Sequence, residues 1–404
     1  MSPAVSGTAG LPAVFRRYML GTASWFVGLA IQFVLFPWLV ALELHESPAR
    51  IGYAQMATLA PMLLLLLPSG VWADRHDARR ILIRVQTFAV LPPIVLAVVI
   101  SQGLLSYGLL IGFALLMGVL SALIAPAREG LLTRVAGGEV QRAVTVTTGL
   151  QFGVQVLGFL LVAVASDAGA PFILCVQAAV FAFGAIVWRR LDPAQFGQRH
   201  ARPRNAGTLV LIGEGLRVVL GSRQLAAVTV TNLAIGLLYM GVFMVGTPLL
   251  IRDHYGGDQS DIAWVSVCNT TGTIVATTLL YAIGGVSRPG RALLLALLAS
   301  ATVLFTIGRG VSYPAFLGLT LLSGACGGIA MTMGRTLVQE NAPDALRSRV
   351  MSIYTLSVLG GTPLGNLLMG HLAAQVGVLA GITIAAIAMA VTTLTVRAFA
   401  SFDG

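Results

Sequence analysis

The sequence is dominated by long, continuously apolar runs that short charged turns separate. Each run holds about 20 residues or more, which is the length an α-helix needs to cross the hydrocarbon core of a bilayer. Apolar and polar residues do not alternate within the runs, so the runs predict helices rather than strands. Hydrophobic residues make up 57% of the 404-residue chain and charged residues only 10%. This composition excludes an ordinary soluble protein and predicts an all-α integral membrane protein.

The runs predict twelve transmembrane helices in two groups of six. The predicted spans are 18–44, 49–73, 81–101, 104–127, 142–166, 169–190, 223–251, 261–285, 291–311, 313–334, 348–371 and 377–399. Residues 191–222 form the one long polar connection, and Thr208–Leu220 within it has the pattern of an amphipathic helix on the membrane surface. We therefore predict an N-terminal six-helix bundle over residues 1–190, a linker over 191–222 and a second six-helix bundle over 223–404.

The basic residues predict the orientation of these helices. All of them are arginine, and they lie in short loops beside apolar runs. Twelve spans place only Arg50, Arg252 and Arg309 on one side of the membrane and the remaining 22 of the 25 basic residues on the other. The positive-inside rule then predicts cytoplasmic N- and C-termini in the inner (plasma) membrane. Lipid headgroups and topology account for the arginines, so we expect no nucleic-acid partner.

The two groups of spans resemble each other at a constant offset of 207 residues. The pairs are Arg128 and Arg335, Arg142 and Arg349, Gly153 and Gly360, Gly158 and Gly365, and Leu161 and Leu368. Each set is a loop with basic ends that leads into a glycine-rich span. The offset indicates two parallel six-helix repeats related by pseudo-symmetry.

The turn between spans 2 and 3 has the densest charge in the first half of the chain. Its pattern, Gly70-x-x-x-Asp74-Arg75-x-x-x-Arg79-Arg80, resembles the loop 2–3 signature of the major facilitator superfamily. The resemblance implies a major facilitator fold that works by alternating access, with this loop as a latch on the cytoplasmic face. Gly70, Asp74, Arg75, Arg79 and Arg80 are therefore the predicted gating residues.

The chemistry of that turn gives each residue an expected role. Gly70 has no Cβ and would let two helix ends approach closely. Asp74 would accept backbone N–H groups from a neighbouring helix or pair with an arginine. The alternative is a solvated basic turn that obeys the positive-inside rule and has no gating role.

A second resemblance concerns the loop before span 11. The pattern Arg335…Asp344…Arg347-x-Arg349-Val350-Met351 is similar to that loop in the exporter branch with macrolide-efflux and enterobactin-exporter-like proteins. It implies a secondary transporter that exports a lipophilic or amphipathic small molecule, such as a drug, a macrolide or a siderophore-like compound, with proton coupling as one option. The alternatives are an importer or uncoupled facilitator on the same fold, and a multispanning membrane enzyme.

Neutral polar side chains at membrane depth are the candidate substrate contacts. In the superfamily, spans 1, 4, 7 and 10 line a central cavity, with spans 2, 5, 8 and 11 beside it. Polar groups that face a wet cavity avoid the cost of facing lipid. The predicted contacts are Gln32, Gln151, Gln155, Asn232, Tyr239 and Asn269. Met240, Met244, Trp25 and Phe243 would suit a bulky apolar ligand. The alternatives are interhelical hydrogen bonds for the former set and packing for the latter.

Span 4, Leu104–Ala127, has no arginine. Drug–proton antiporters of the superfamily often carry one there, so this absence argues against ordinary proton antiport. Glu43, Asp167 and Asp261 near the outer helix ends remain candidates for protonation.

The sequence predicts no cofactor and no metal. A phosphate-binding loop motif is absent, the five histidines are scattered, and the three cysteines lie in apolar runs as expected for small buried residues. The expected partners are a small-molecule substrate, the lipid bilayer and protons as one option, and the expected state is a monomer.

Overall fold

A computed structural model describes residues 13–136, 139–192, 208–284, 286–343 and 346–399. These residues are almost entirely helical and contain no strand. The α-helices are α1 Ala13–Trp38, α2 Pro48–Arg75, α3 Ala78–Phe88, α4 Leu91–Ser101, α5 Tyr107–Val135, α6 Val140–Val164, α7 Gly169–Arg189, α8 Thr208–Gly221, α9 Arg223–Ala234, α10 Thr247–Leu250, α11 Gln259–Ile283, α12 Pro289–Ile307, α13 Tyr313–Asn341, α14 Arg347–Val376 and α15 Val378–Phe399.

Several of these helices join end to end into longer rods. α1 continues as a π-helix over Leu39–Glu43. α3 and α4 form one rod that breaks just before α4, whose first turn contains proline without an N–H donor. α9 and α10 belong to one rod that also includes π-helical segments at Ile235–Met240, Val242–Gly246 and Ile251–Tyr255. The described residues therefore form twelve long rods, the shorter α8 and a three-residue 3₁₀ helix over Ser166–Ala168.

The lengths of the rods fit a bilayer. Ten helical stretches of the described part are long and apolar enough to cross a membrane. The other two long rods, α2 and α14, have 28 and 30 residues. At 1.5 Å per residue they are each at least about 42 Å long, which also exceeds the hydrocarbon thickness. The all-α, membrane-spanning fold predicted from the sequence is confirmed.

Two helices extend well beyond their predicted ends. α5 continues past the predicted end at residue 127 to Val135, and α13 continues past residue 334 to Asn341. Arg128 and Arg335 therefore lie inside helices and not in loops. The predicted span 4, Leu104–Ala127, holds no arginine, but the helix that forms it, α5, continues to Val135 and includes Arg128. The expectation of an arginine-free fourth helix is therefore wrong. An apolar run ends at the first charge, whereas a helix continues because a long arginine side chain can bury its stem and extend its charge toward water.

The rods pack mainly within the two halves of the chain. α1 packs on α6 and α7, and α2 packs on α5, whereas α13 packs on α11 and α12. Contacts between the halves come chiefly from α2 with α14 and from α6 with α11. α6 begins at Val140 and α14 at Arg347, which preserves the offset of 207 residues.

The interior of the first half is packed around buried aromatic and amide side chains. The rings of Trp25 and Phe181 lie 5.2 Å apart. Trp188 Nε1 donates to Gln86 Oε1 at 2.6 Å, and Gln86 Nε2 donates to Ser24 Oγ at 2.7 Å. A buried amide satisfied in this way holds helices together without an unpaired polar group. Trp25, predicted as a possible pocket residue, is part of this core.

The short helix α8 belongs to the second half. It occupies the stretch that the sequence predicts to be an amphipathic helix, and Arg217 on it is exposed. Glu214 of α8 forms an ion pair with Arg349 of α14. A Cβ added at Gly215 would lie 2.8 Å from the side chain of Ile353, also on α14. α8 is thus attached to the start of α14.

Candidate functional site

The two ends of the helical bundle differ in charge and in how the halves meet. We call the end with residues 75–80, 128–136, 139–142, 189–190, 335–343 and 346–349 the arginine-rich end. We call the end with residues 43–48, 163–168, 252–259, 308–312 and 371–378 the sealed end. The contacts at the sealed end are described first, then the cavity between the two ends.

Arg252 connects the halves at the sealed end. Its Nη1 donates to the carbonyl oxygens of Ala41 at 3.0 Å and Glu46 at 2.8 Å, both in the first half. Its Nε and Nη2 bond the carboxylate of Asp253 at 2.5 and 3.2 Å. The Arg252 side chain is only 17% exposed. One guanidinium therefore holds the end of the rod that starts with α1 against the end of the rod that contains α9 and α10. The neighbouring carboxylate balances its charge.

Further polar contacts join the halves at the same end. Gln259 Nε2 donates to the carbonyl oxygen of Ser166 at 2.6 Å. The Tyr53 hydroxyl lies 3.3 Å from Nε2 of His371. Each bond joins one residue of the first half to one of the second.

α2 and α14 also meet there backbone to backbone. A Cβ added at Gly52 would lie 2.7 Å from the carbonyl oxygen of Asn366 and 3.3 Å from Cα of Gly370. A Cβ added at Gly370 would lie 2.7 Å from the carbonyl oxygen of Pro48. Only glycine permits this separation, so the contact depends on the missing side chains.

A cavity of about 280 Å³ lies away from the sealed end. Helices of the second half form most of its wall, and α6 contributes Phe152. Its deep part contains Tyr239 and Asn269, and its other part, toward the arginine-rich end, contains Arg335 and Thr355. The full lining is Phe152, Asn232, Ile235, Tyr239, Met240, Asn269, Thr270, Thr273, Leu297, Ser300, Cys326, Gly327, Ala330, Met331, Arg335, Tyr354, Thr355, Val358 and Met389.

Hydrogen bonds fix the polar groups in the deep part of the cavity. Asn269 Nδ2 donates to the Tyr239 hydroxyl at 2.8 Å, and Ser323 Oγ donates to the same oxygen at 3.2 Å. Thr273 Oγ1 bonds the carbonyl oxygen of Asn269 at 3.1 Å and that of Gly324 at 2.9 Å. Tyr239 thus connects α11 and α13 to the π-helical segment Ile235–Met240 that follows α9.

Asn232 is held on another side of the cavity. Its Nδ2 donates to the carbonyl oxygen of Tyr354 at 2.5 Å and to Ser357 Oγ at 3.1 Å. The amide is buried, and both partners lie on α14. Binding groups that are already oriented lose little entropy when a ligand arrives.

The turn between α2 and α3 lies at the arginine-rich end. Arg79 Nη2 donates to the carbonyl oxygen of Arg189, the last residue of α7, at 2.6 Å. Asp77 caps α3 by accepting from the backbone N–H of Arg80 at 2.9 Å. Arg75 and Arg80 are exposed. The turn is therefore fastened to the first half through Arg79.

The other two predicted gating residues belong to the last part of α2. Asp74 lies in the helix, but its side chain is outside the described part of the structure. A Cβ added at Gly70 would have no described atom within 4 Å. The close helix approach expected at Gly70 is therefore not found in this conformation.

The described residues contain no group of three or more histidine, cysteine, aspartate or glutamate side chains that could hold a metal ion. The three cysteines are free thiols, and Cys326 is buried as predicted. Cys175 on α7 is exposed and Cys268 is half-buried, so the prediction that all three are buried is wrong for these two residues. A single thiol on a membrane-spanning helix can face lipid at little cost, and sequence pattern alone does not distinguish the two faces.

The family model of major facilitator proteins described as transmembrane secretion effector matches residues 9–401. The chain belongs to the major facilitator superfamily. Major facilitator proteins are membrane transporters, so this chain is a multi-pass transporter of the cell membrane and not the membrane enzyme that the sequence left as an alternative.

Two relatives of this major facilitator protein have names that state a function. The multidrug efflux pump Tap of Mycobacterium tuberculosis is 26% identical over 374 residues, which cover 87% of this chain and 84% of the pump. The staphyloferrin A transporter of Staphylococcus aureus is 23% identical over 366 residues, covering 87% of this chain and 88% of that protein.

Solved structures confirm the major facilitator fold. The nucleoside transporter NupG superposes with a TM-score of 0.74 at 13% identity, covering 96% of this chain and 99% of that one. A bacterial homologue of the human lysosomal transporter Spinster, in an inward-facing and unoccupied conformation, gives a TM-score of 0.68 at 14% identity. It covers 96% of this chain and 95% of the homologue.

Three of the six predicted substrate contacts line the cavity of this transporter, namely Asn232, Tyr239 and Asn269. Gln32, Gln151 and Gln155 are not among the lining residues. Gln32 is 6% exposed, and its Oε1 has no partner among the described residues. Gln151 and Gln155 are half-buried on α6, on either side of Phe152.

Sequence reasoning missed several lining residues. Phe152, Met331 and Met389 look like packing residues in an apolar run, and no local pattern distinguishes them. Arg335 was assigned to a loop because the apolar run ends just before it. Its offset of 207 residues from Arg128 pairs the two arginines, but it does not show that either one lies in a helix.

Proposed function

We propose that this transporter exports a lipophilic or amphipathic small molecule by alternating access. The moving parts would be two six-helix bundles, residues 1–190 and 223–404, joined by residues 191–222. The observation that supports the proposal most is a cavity of about 280 Å³ that extends toward one end while the other end is closed by contacts between the halves. The name of the Tap relative, a multidrug efflux pump, supports export over import.

The proposed orientation places the arginine-rich end in the cytoplasm. The positive-inside distribution of the arginines supports it, and both termini would be cytoplasmic. The cavity would then receive its substrate from the cell interior or the inner leaflet, with the sealed end toward the outside. A green fluorescent protein fused to the C-terminus should fluoresce, and an alkaline phosphatase fused there should be inactive. The opposite pair of results would reverse the orientation.

The cavity lining supports a bulky substrate with a few hydrogen-bonding groups. Apolar and thioether side chains form most of its wall, while Asn232, Tyr239 and Asn269 offer fixed amide and hydroxyl groups. Sites for drug-sized ligands have this composition. We propose these three as substrate contacts, and propose that Gln32, Gln151 and Gln155 contact substrate at another stage of the cycle.

The gating proposal concerns the turn at the arginine-rich end. When that end closes, Gly70 would allow close helix contact, Asp74 would bond a neighbouring helix, and Arg75, Arg79 and Arg80 would hold the closed form. Replacing Asp74 with Asn should slow export without reducing the amount of protein in the membrane. Export at the wild-type rate by this variant would remove Asp74 from the gate.

Transport in vesicles of both orientations tests the function itself. Everted vesicles that contain the protein should accumulate lipophilic fluorescent dyes, and right-side-out vesicles should not. Accumulation only in right-side-out vesicles would show an importer.

We also propose proton coupling, so a protonophore should stop accumulation. Light scattering in detergent tests the proposed monomer.

A further inference from the structure

The arginines at equivalent positions of the two repeats have different surroundings. Arg128 of α5 lies over the ring of Phe26 at 4.4 Å, is 3.7 Å from Glu129, and is 12% exposed. Arg335 of α13 is exposed and lines the cavity. The first arginine is covered by its own half of the protein, whereas the second faces the space where a ligand would bind.

Arg335 brings a positive charge to a wall that has no negative one. The described residues that line the cavity include no aspartate, glutamate or histidine. The described part of the structure gives Arg335 no ion pair. A guanidinium in partly apolar surroundings favours a carboxylate or another oxyanion, because its planar donors can bond two oxygens at once. The same charge repels a cation, and no lining carboxylate offsets the repulsion.

The position of Arg335 sets the shape of a ligand that would reach it. Arg335 lies eight positions along α13 from Gly327, which also lines the cavity. At 1.5 Å per residue this is about 12 Å along the helix. Met331 lies one turn below Arg335 on the same face, and Met389 and Leu297 add apolar wall. A charged group at Arg335 would therefore have an apolar body extending toward Tyr239 and Asn269.

We infer that the substrate class is amphipathic anions: molecules with an apolar body and one carboxylate or similar oxyanion, which Arg335 binds. Tyr354 and Thr355 beside it provide hydroxyl groups for the same oxygens. The inference rests on the proposed function and specifies the chemistry of its substrate. It makes Arg335 the residue that selects anions over cations.

Equilibrium binding of two matched probes tests this inference without requiring transport. The probes are 4-(1-pyrenyl)butyrate and 4-(1-pyrenyl)butylammonium, which share one aromatic body and carry opposite charges. Each is titrated against the full-length protein in lipid nanodiscs, with empty nanodiscs subtracted. We expect the wild type to bind the butyrate at least tenfold more tightly than the ammonium. Arg335→Gln should weaken butyrate binding by about tenfold to a hundredfold, the value of one charge-assisted contact.

Two further variants separate the contact from general electrostatics. Arg217→Gln removes one positive charge from exposed α8 at the same end of the bundle and should leave both affinities within twofold. Arg335→Lys keeps the charge but loses the planar fork, so it should bind the butyrate with intermediate affinity. Thermal unfolding of each variant identifies any that has lost its fold.

Three results would overturn the inference. They are equal affinity of the wild type for both probes, unchanged butyrate affinity in the folded Arg335→Gln and Arg335→Lys variants, and no saturable butyrate binding to the wild type. None of these three binding results would contradict the proposed export, because cells could still export lipophilic dyes. Conversely, selective butyrate binding by a protein that moves no dye in vesicles would contradict the proposed export and leave the binding site in place.

Discussion

Replacing Gly52 with Ala should open the sealed end of the bundle. The added Cβ would lie 2.7 Å from the Asn366 carbonyl oxygen, a separation that real Cβ atoms essentially never show. The obstacle is backbone, which cannot rotate away as a side-chain tip can. α2 and α14 would have to separate by about half an ångström or more, and overpacking of this kind costs about 1–3 kcal/mol.

That cost applies only while the sealed end is closed. The variant can avoid it by populating conformations in which α2 and α14 are apart. A penalty of about 1–3 kcal/mol corresponds to a shift of about 5-fold to 150-fold in the ratio of open to closed molecules. We therefore expect a large change in population with little change in the number of folded molecules.

Distances between spin labels measure this population directly. Labels at Ser47 and Arg309, exposed on the two halves at the sealed end, report its width in a cysteine-free background. Gly112→Ala is the matched control, because a Cβ there meets no described atom within 4 Å and the residue is also helical. It carries the same gain in helix propensity, about 1 kcal/mol, without the clash.

The comparison can refute the reasoning. If the Gly52→Ala variant folds and gives the same distance distribution as wild type and Gly112→Ala, the glycine contact does not hold this end closed. A longer distance in both alanine variants would attribute the effect to helix propensity instead.

Three further predictions concern single side chains. Arg252→Gln removes two charge-assisted hydrogen bonds between the halves, so it should raise the open fraction at the sealed end about 5-fold to 30-fold. The same spin-label measurement tests this, and an unchanged open fraction would contradict it. Gln86→Leu should lower the free energy of unfolding by about 2–3 kcal/mol, because the buried Trp188 N–H loses its acceptor, and an unaltered unfolding temperature in detergent would disprove it. Tyr239→Phe should raise the KM for dye export several-fold at equal expression, because Asn269 loses its acceptor; a wild-type KM would exclude Tyr239 from the site.

The sequence predicted the fold well because membrane-spanning helices leave a strong compositional signal. Every apolar run corresponds to a rod, and the amphipathic stretch Thr208–Leu220 is helical. The sequence predicted the ends of the helices less accurately. Hydropathy changes sign at Arg128 and Arg335, whereas the backbone stays helical for about two more turns in each case. That difference hid the cationic group of the cavity.

The candidate site was only partly predictable for a related reason. Polarity identifies residues that need a partner in the membrane, but it does not say whether that partner is a ligand or another helix. Asn232, Tyr239 and Asn269 line the cavity, while Gln86, an equally polar and fully buried side chain, is bonded within the core of the first half. Only the arrangement of the helices separates the two cases.

At the sealed end, the two halves are joined largely through contacts to main-chain oxygens and glycine Cα atoms. Such atoms are present whatever side chains the rest of the chain carries. Mutations in the lining of the cavity can therefore change what is carried while the contacts that close this end stay as they were. A protein built in this way can acquire a new cargo by single substitutions, without first rebuilding its moving parts.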